Sequence, residues 1–140
     1  MEFTNLEKIK ISKKDLQFIK KEMDLNSPYE ACGVLIGRIE NNIAIVEQTI
    51  PMENTKKSSS RFEIDAEQLY KIWDFADKNN KEIVGIYHSH PFSLAVPSLV
   101  DRPYMEYNPY PWLIIGIDGL KGYLLNRFNN KIKKIIIEEI

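Results

Sequence analysis

Two histidines, His88 and His90, are the only ones in the chain, and they stand two residues apart. At the end of an extended strand, residues i and i+2 point to the same side, so both imidazoles can reach one ion. Pro91 follows and keeps the strand from continuing as a paired central strand. Neutral imidazole with carboxylate suits zinc in a redox-silent site. On spacing alone, a pair of surface or hydrogen-bonding histidines is an equal reading. A zinc site needs a third protein ligand, and a catalytic one leaves the fourth place for water. Asp101 is the nearest downstream carboxylate, in Ser98-Leu99-Val100-Asp101. That tetrad also has the form of a helix capping box, and the two readings are compatible, because a helix start is a rigid place from which to aim a carboxylate. Glu30 opens an otherwise apolar strand, Ala31-Cys32-Gly33-Val34-Leu35-Ile36-Gly37. It reads either as a solvated strand end or as a general base for metal-held water. Cys32, the single thiol, reads as core.

The elements that must position these residues follow from local signals. Ser12 with Asp15 caps a first helix, stapled by Ile11 on Leu16 and carrying the stripe Leu16, Ile19 and Met23. The segments 30–39 and 43–50, joined by Glu40-Asn41-Asn42, read as a hairpin. Pro51 to Arg61 is polar and non-periodic and reads as a mobile loop. Asp65 with Gln68 caps a second helix with the stripe Leu69, Ile72, Trp73 and Ala76, ended by Asn79-Asn80. The short strand 83–87 runs straight into His88-Ser89-His90-Pro91. Strands are expected at 112–117, 123–128 and 131–137, with turns at Asp118-Gly119 and Asn129-Asn130. The fold class expected is an α/β (α+β) sandwich, a mixed, mostly antiparallel sheet flanked by helices. A helix capped at Ser98 would meet Pro103 in its second turn, where proline costs about 3 kcal/mol, so any helix after Asp101 should be short or kinked.

A chain of 140 residues with net charge -1 and 44% hydrophobic content fits one domain, drawn over 1–140 with its core at about 11–128. The charge balance and the lack of an aromatic-basic stripe speak against nucleic acid. Apolar runs such as 34–36 and 135–137 are too short to cross a bilayer, and the N-terminal MEFTNLEKIK lacks the apolar stretch of a secretory signal. One cysteine makes no internal disulfide, so the reading is a cytoplasmic protein. Ile135-Ile136-Ile137 offers a sheet edge through which two copies could form a homodimer.

Glu30, then His88-Ser89-His90-Pro91, then Ser98-Leu99-Val100-Asp101, resembles the signature of the JAMM metalloproteases of the MPN domain family, in their prokaryotic and archaeal single-domain branch. Pro28-Tyr29-Glu30-Ala31-Cys32-Gly33-Val34-Leu35-Ile36-Gly37 and Gly85-Ile86-Tyr87 agree with it, so the resemblance spans roughly 11–128. It implies a cytidine deaminase-like fold and one zinc ion per chain on His88, His90 and Asp101. Glu30 would be the general acid/base, and the Ser98 hydroxyl would stabilise the oxyanion. The implied reaction is cleavage after the C-terminal Gly-Gly of ubiquitin-like small modifiers or sulfur-carrier proteins. By the same resemblance the loop of Asn54, Thr55, Lys56, Lys57, Ser58, Ser59, Ser60, Arg61 and Phe62 lies where such a tail would add as a strand. A catalytically silent MPN scaffold is the alternative, opposed by the full ligand set. A zinc nucleobase deaminase needs H-x-E and a downstream P-C-x-x-C, which one cysteine excludes.

Overall fold

The structure is a computed structural model describing residues 5–140. Residues 1–4, which belong to the stretch examined for a signal and to the domain drawn over 1–140, lie outside the described residues. The chain runs β1 (Lys8–Ile11), α1 (Lys13–Asn26), β2 (Cys32–Glu40), β3 (Ile43–Met52), α2 (Ala66–Lys78), β4 (Glu82–Ser89), α3 (Asp101–Tyr107), β5 (Trp112–Gly116), β6 (Gly119–Asn126) and β7 (Lys131–Glu139).

Local chemistry explains where the helices start. The Asp15 backbone N–H donates to Ser12 Oγ at 3.1 Å, and the Gln68 N–H donates to Asp65 Oδ2 at 3.1 Å, so both caps form as expected. At the α2 end, the Lys81 N–H reaches back to the Ala76 carbonyl while Asn80 takes a left-handed conformation (φ 58°). Asn41 and Asn42 both adopt positive φ, the geometry a two-residue hairpin between β2 and β3 requires.

The sheet is mixed and flanked by helices, but it does not stay open as a sandwich layer would. Its strand order is β1-β3-β2-β4-β5-β6-β7, closed into a barrel. The closing strand is β1, which lies parallel to both β3 and β7. Only four residues long, Lys8-Ile9-Lys10-Ile11 alternates too briefly to announce a strand, yet Ile9 and Ile11 are fully buried. β7 pairs with β6 through residues 131–135 and with β1 through residues 136–139, so each of 135–137 has one strand partner in the sheet. Antiparallel pairing joins β2 to β3 and β4, and β6 to β5 and β7, whereas β4 and β5 run parallel.

Two apolar clusters hold the strands. Ile19 of α1, with Leu16 and Met23 beside it, packs with Ile9, Leu35, Val46, Tyr87, Leu113 and Leu124. On the other face of β2, β4 and β5, Val34, Ile36, Ile86, Trp112 and Ile114 meet Ala76 of α2 and Met105 of α3. The central strands are buried on both faces, which anchors the ends that carry the functional side chains. Among the described residues, no helix is long and apolar enough to cross a membrane.

Pro103 is less disruptive than expected. Helical geometry begins at Asp101, so Pro103 is the third helical residue, in the first turn, where backbone N–H groups have no intrahelical partner to lose. The helix is nonetheless short, at seven residues.

Candidate metal centre

β4 carries His88 into the cluster, and His90 follows just past its end. His88 pairs in register with Cys32 of β2 on one side and Ile114 of β5 on the other. The intervening Ser89 turns the opposite way. Its Oγ accepts the Ala31 N–H at 2.7 Å and its own N–H donates to the Ala31 carbonyl at 3.0 Å, which ties the segment bearing Glu30 to the segment bearing the histidines. Glu30 itself precedes β2 rather than opening it. Its N–H donates to the Ser58 carbonyl, and Asn54 Nδ2 donates to the Glu30 carbonyl.

The three expected ligands converge. His88 Nε2 lies 3.0 Å from His90 Nε2 and 3.2 Å from Asp101 Oδ2, and His90 Nε2 lies 3.1 Å from the same oxygen. Glu30 joins them, with one ligand atom from each of the four residues all within 4.8 Å of one another, and all four residues buried. The Asp101 carboxylate is held by the Ser98 N–H (2.9 Å), while Ser98 Oγ accepts the Asp101 N–H (3.0 Å). The capping reading and the ligand reading of this tetrad therefore coexist.

Proton accounting tests whether a metal fits. His90 Nδ1 stands 2.8 Å from the Leu94 carbonyl, which can only accept, so Nδ1 holds the proton and Nε2 turns its lone pair inward. The facing carboxylate is an acceptor as well. His88 Nδ1 is buried without a partner, and so is Glu30 Oε1. Neutral His88 can offer the triangle at most one Nε2 proton, and a cation at the centre would take up the inward lone pairs together. Ligand atoms on a tetrahedral zinc with bonds of about 2.0–2.1 Å stand about 3.3 Å apart, close to the observed triangle. The donor set fits a metal site.

The shifts of His88 and Asp101 agree with this assignment, whereas His90, which burial alone would lower, is carried above its ordinary range by Asp101 and the Leu94 carbonyl. Complete burial holds His88 below the ordinary histidine range, so it stays neutral with a lone pair to give. Burial alone would raise Asp101, but the neighbouring His88, then His90 and the Ser98 N–H, outweigh it and hold the carboxyl well below the usual carboxylate range. Glu30 goes the other way. Burial pushes it to about 8, with His90 pulling it down and Asp101 pushing it up. That places a proton-exchanging carboxyl beside the ligand triangle. A cleft of about 500 Å³ opens over it, with Glu30, Ser59, Ser60, His90, Leu94 and Ser98 in its walls.

The loop expected to be mobile begins at Glu53, because β3 runs through Met52. Its base is closed by Asn54, whose Nδ2 also donates to the Arg61 carbonyl and whose Oδ1 accepts the Lys56 and Glu63 N–H groups. Phe62, grouped with the loop by sequence, is 6% exposed and stacks on His88 at 4.5 Å between ring centroids. Its ring belongs to the floor of the site. Phe62, Ser89 and the Leu94 carbonyl are supports that sequence reasoning passed over. Only Ser89 carried a signal, as the residue between the two histidines.

Fold and site together define a JAMM-type metallopeptidase, a hydrolase of peptide and isopeptide bonds. The chain belongs to the family described as prokaryotic homologs of the JAB domain, whose model matches residues 13–130. It is 36% identical over 116 residues to a desampylase of Pyrococcus furiosus, covering 81% of this chain and 79% of that protein. It is also 36% identical over 74 residues to the CysO-cysteine peptidase of Mycobacterium tuberculosis, covering 53% of this chain and 49% of that one. A protein of Desulfitobacterium hafniense with a solution structure matches at a TM-score of 0.83 and 26% identity, covering 94% of this chain and 92% of that chain.

Proposed function

We propose that the chain cleaves the bond following the C-terminal Gly-Gly of a ubiquitin-like small modifier or a sulfur-carrier protein. One zinc ion per chain would be held by His88, His90 and Asp101. The observation that carries this reading is the position of Glu30, a buried carboxyl with an unpartnered oxygen beside the ligand triangle and in the wall of the cleft. Bound zinc supplies Lewis acidity toward water and the scissile carbonyl. Glu30 takes a proton from the attacking water and returns it to the departing amine nitrogen, and a carboxyl near 8 performs both transfers around neutral pH. Ser98 Oγ accepts the Asp101 N–H, which leaves its own proton to be donated to the developing oxyanion.

The tail needs backbone recognition, because diglycine has no side chains to read. Residues 54–62 supply it in this proposal. Support comes from the two hydrogen bonds that fasten the loop to the Glu30 backbone and from Ser59 and Ser60 in the cleft wall. Residues 1–140 would act as one domain of the cytidine deaminase-like class, in a cytoplasm that keeps the buried Cys32 thiol reduced. The test is a panel of diglycine-tailed ubiquitin-like conjugates, offered with and without a zinc chelator. Cleavage after the second glycine that the chelator stops is the expected result, and hydrogen exchange on 54–62 should slow when a non-cleavable conjugate binds. Intact conjugates under saturating zinc would overturn the substrate assignment.

A further inference from the structure

The Asp118-Gly119 turn joins β5 to β6 and reads in the sequence as nothing more than a turn. In the structure its carboxylate reaches the metal centre through a single peptide group. Asp118 Oδ1 accepts the Ala95 N–H at 2.7 Å. The carbonyl of that same peptide unit, contributed by Leu94, accepts His90 Nδ1–H at 2.8 Å. On the far side Lys121 Nζ donates to Asp118 Oδ2 at 2.7 Å. The four groups form one line, from ammonium to carboxylate to peptide to imidazole.

The peptide in the middle has little freedom to shift. The Tyr123 hydroxyl donates to the Ala95 carbonyl at 2.5 Å, and the Ile117 N–H donates to the Ser93 carbonyl at 2.9 Å. The Val96 N–H adds a second bond to the Leu94 carbonyl at 2.9 Å. Gly116 makes the close seat available: a Cβ there would fall 2.5 Å from the Ala95 nitrogen and 2.6 Å from the Ser93 oxygen. The 93–95 backbone is thus clamped onto the ends of β5 and β6.

Hydrogen bonds in a chain polarise one another. A carboxylate drawing on the Ala95 N–H increases the negative charge on the Leu94 oxygen, which draws more strongly on the His90 Nδ1 proton and makes Nε2 a better electron donor. Metal-bound histidines commonly gain this help from a carboxylate or carbonyl in direct contact. We propose that Asp118 is a positioning residue for His90, acting through the Leu94–Ala95 peptide to set the ring's tautomer, orientation and donor strength. The inference rests on His90 being a metal ligand.

Two measurements test it, neither of which needs a substrate. Zinc(II) is titrated against a chromophoric chelator in the parent, Asp118→Ala, Asp118→Asn and Lys121→Ala proteins. The His90 Nδ1–H signal is followed by NMR in the zinc-free forms. Asp118→Ala should weaken zinc binding about ten- to a hundredfold, the scale typical of a lost outer-shell partner, and move the His90 proton upfield. Asp118→Asn keeps a neutral acceptor of the same shape and should fall between parent and Ala in both readouts. Lys121→Ala leaves the carboxylate on the Ala95 N–H and should change affinity by less than about threefold. Asp118→Ala affinity within twofold of the parent, or an unshifted His90 signal, overturns the proposal whatever happens to the melting temperature. Failure of the ligand reading looks different: His90→Ala would then bind zinc as the parent does.

Discussion

His88 and His90 aim at one point and are held there by opposite means. His90 is fixed by a hydrogen bond from Nδ1 to the Leu94 carbonyl. His88 has no partner on Nδ1 and is fixed by packing, with Phe62 stacked at 4.5 Å and Trp112 edge-on at 5.3 Å. A hydrogen bond specifies which nitrogen carries the proton, whereas an aromatic slot specifies only the plane of the ring. The difference teaches that the site has one chemically tuned imidazole and one sterically placed one. The placed one lies deeper, fully buried within β4.

The bluntest way to break the comparison is to remove the rings. His88→Ala, His90→Ala and Asp101→Ala should each empty the site of zinc and abolish cleavage, because three protein ligands leave no spare. Metal analysis after dialysis checks this, and full zinc with full activity in any variant removes that residue from the ligand set. Glu30→Gln separates holding the metal from using it. Zinc content should stay at the parent level while turnover falls by about two to four orders of magnitude, and steady-state kinetics with metal analysis on one preparation reads both. Ser98→Ala should follow, with turnover down about 10²–10³ and zinc retained. Turnover held at the parent level, with only a lower melting temperature, would leave Ser98 as the Asp101 cap alone.

Changing a support rather than a ligand sharpens the contrast. Phe62→Leu removes the stacked face from His88 and should cost about 0.5–1.5 kcal/mol of stability for the lost ring contacts. Zinc affinity should fall by less than about tenfold, short of the loss typical when a hydrogen-bonded partner is removed. The His90 Nδ1–H signal should not move. If it does, the two supports are coupled and the division between them fails. A pH slope gives a further readout. Burial raises Glu30 to about 8 from 4.5, so between those values the folded state binds more protons than the unfolded one. Stability of the zinc-free protein should therefore fall as pH climbs from 4.5 toward 8 and level off above. Urea midpoints across this window should be flatter for Glu30→Gln by the amount Glu30 contributes.

What was legible beforehand was local. The caps at Ser12 and Asp65 are closed by residues three positions away, so α1 and α2 begin where their sequences say. Glu30, His88, His90 and Asp101, which the fold gathers into one buried group, stood out because few residue types can hold a metal. Supports were hidden for the opposite reason. Any residue with a backbone can offer the Leu94 carbonyl, and the Ala95 N–H of the same peptide reaches Asp118 across 23 positions. Phe62 sits beside a run of serines, and only the fold turns it inward. The α3 boundary misled because the Ser98 side-chain bond forms one turn before the backbone becomes regularly helical, which shifts Pro103 into the tolerant first turn.

Barrel closure has a consequence for the order in which the molecule assembles. The seam joins β1 to β7, and Lys8 and Glu138, which bond across it, are 130 residues apart in sequence. Ring closure over that length costs about 4 kcal/mol by length scaling alone, whereas the hairpin of β2 and β3 closes over two asparagines. Contacts of such long range form late and slow folding. The strands around the four-residue cluster, β2 through β5, need no part of the seam to pair among themselves. The molecule can therefore unzip along β1 while its centre stays assembled, and amides of Ile9 and Ile137 should exchange with solvent hydrogen well before those of Ile86 and His88.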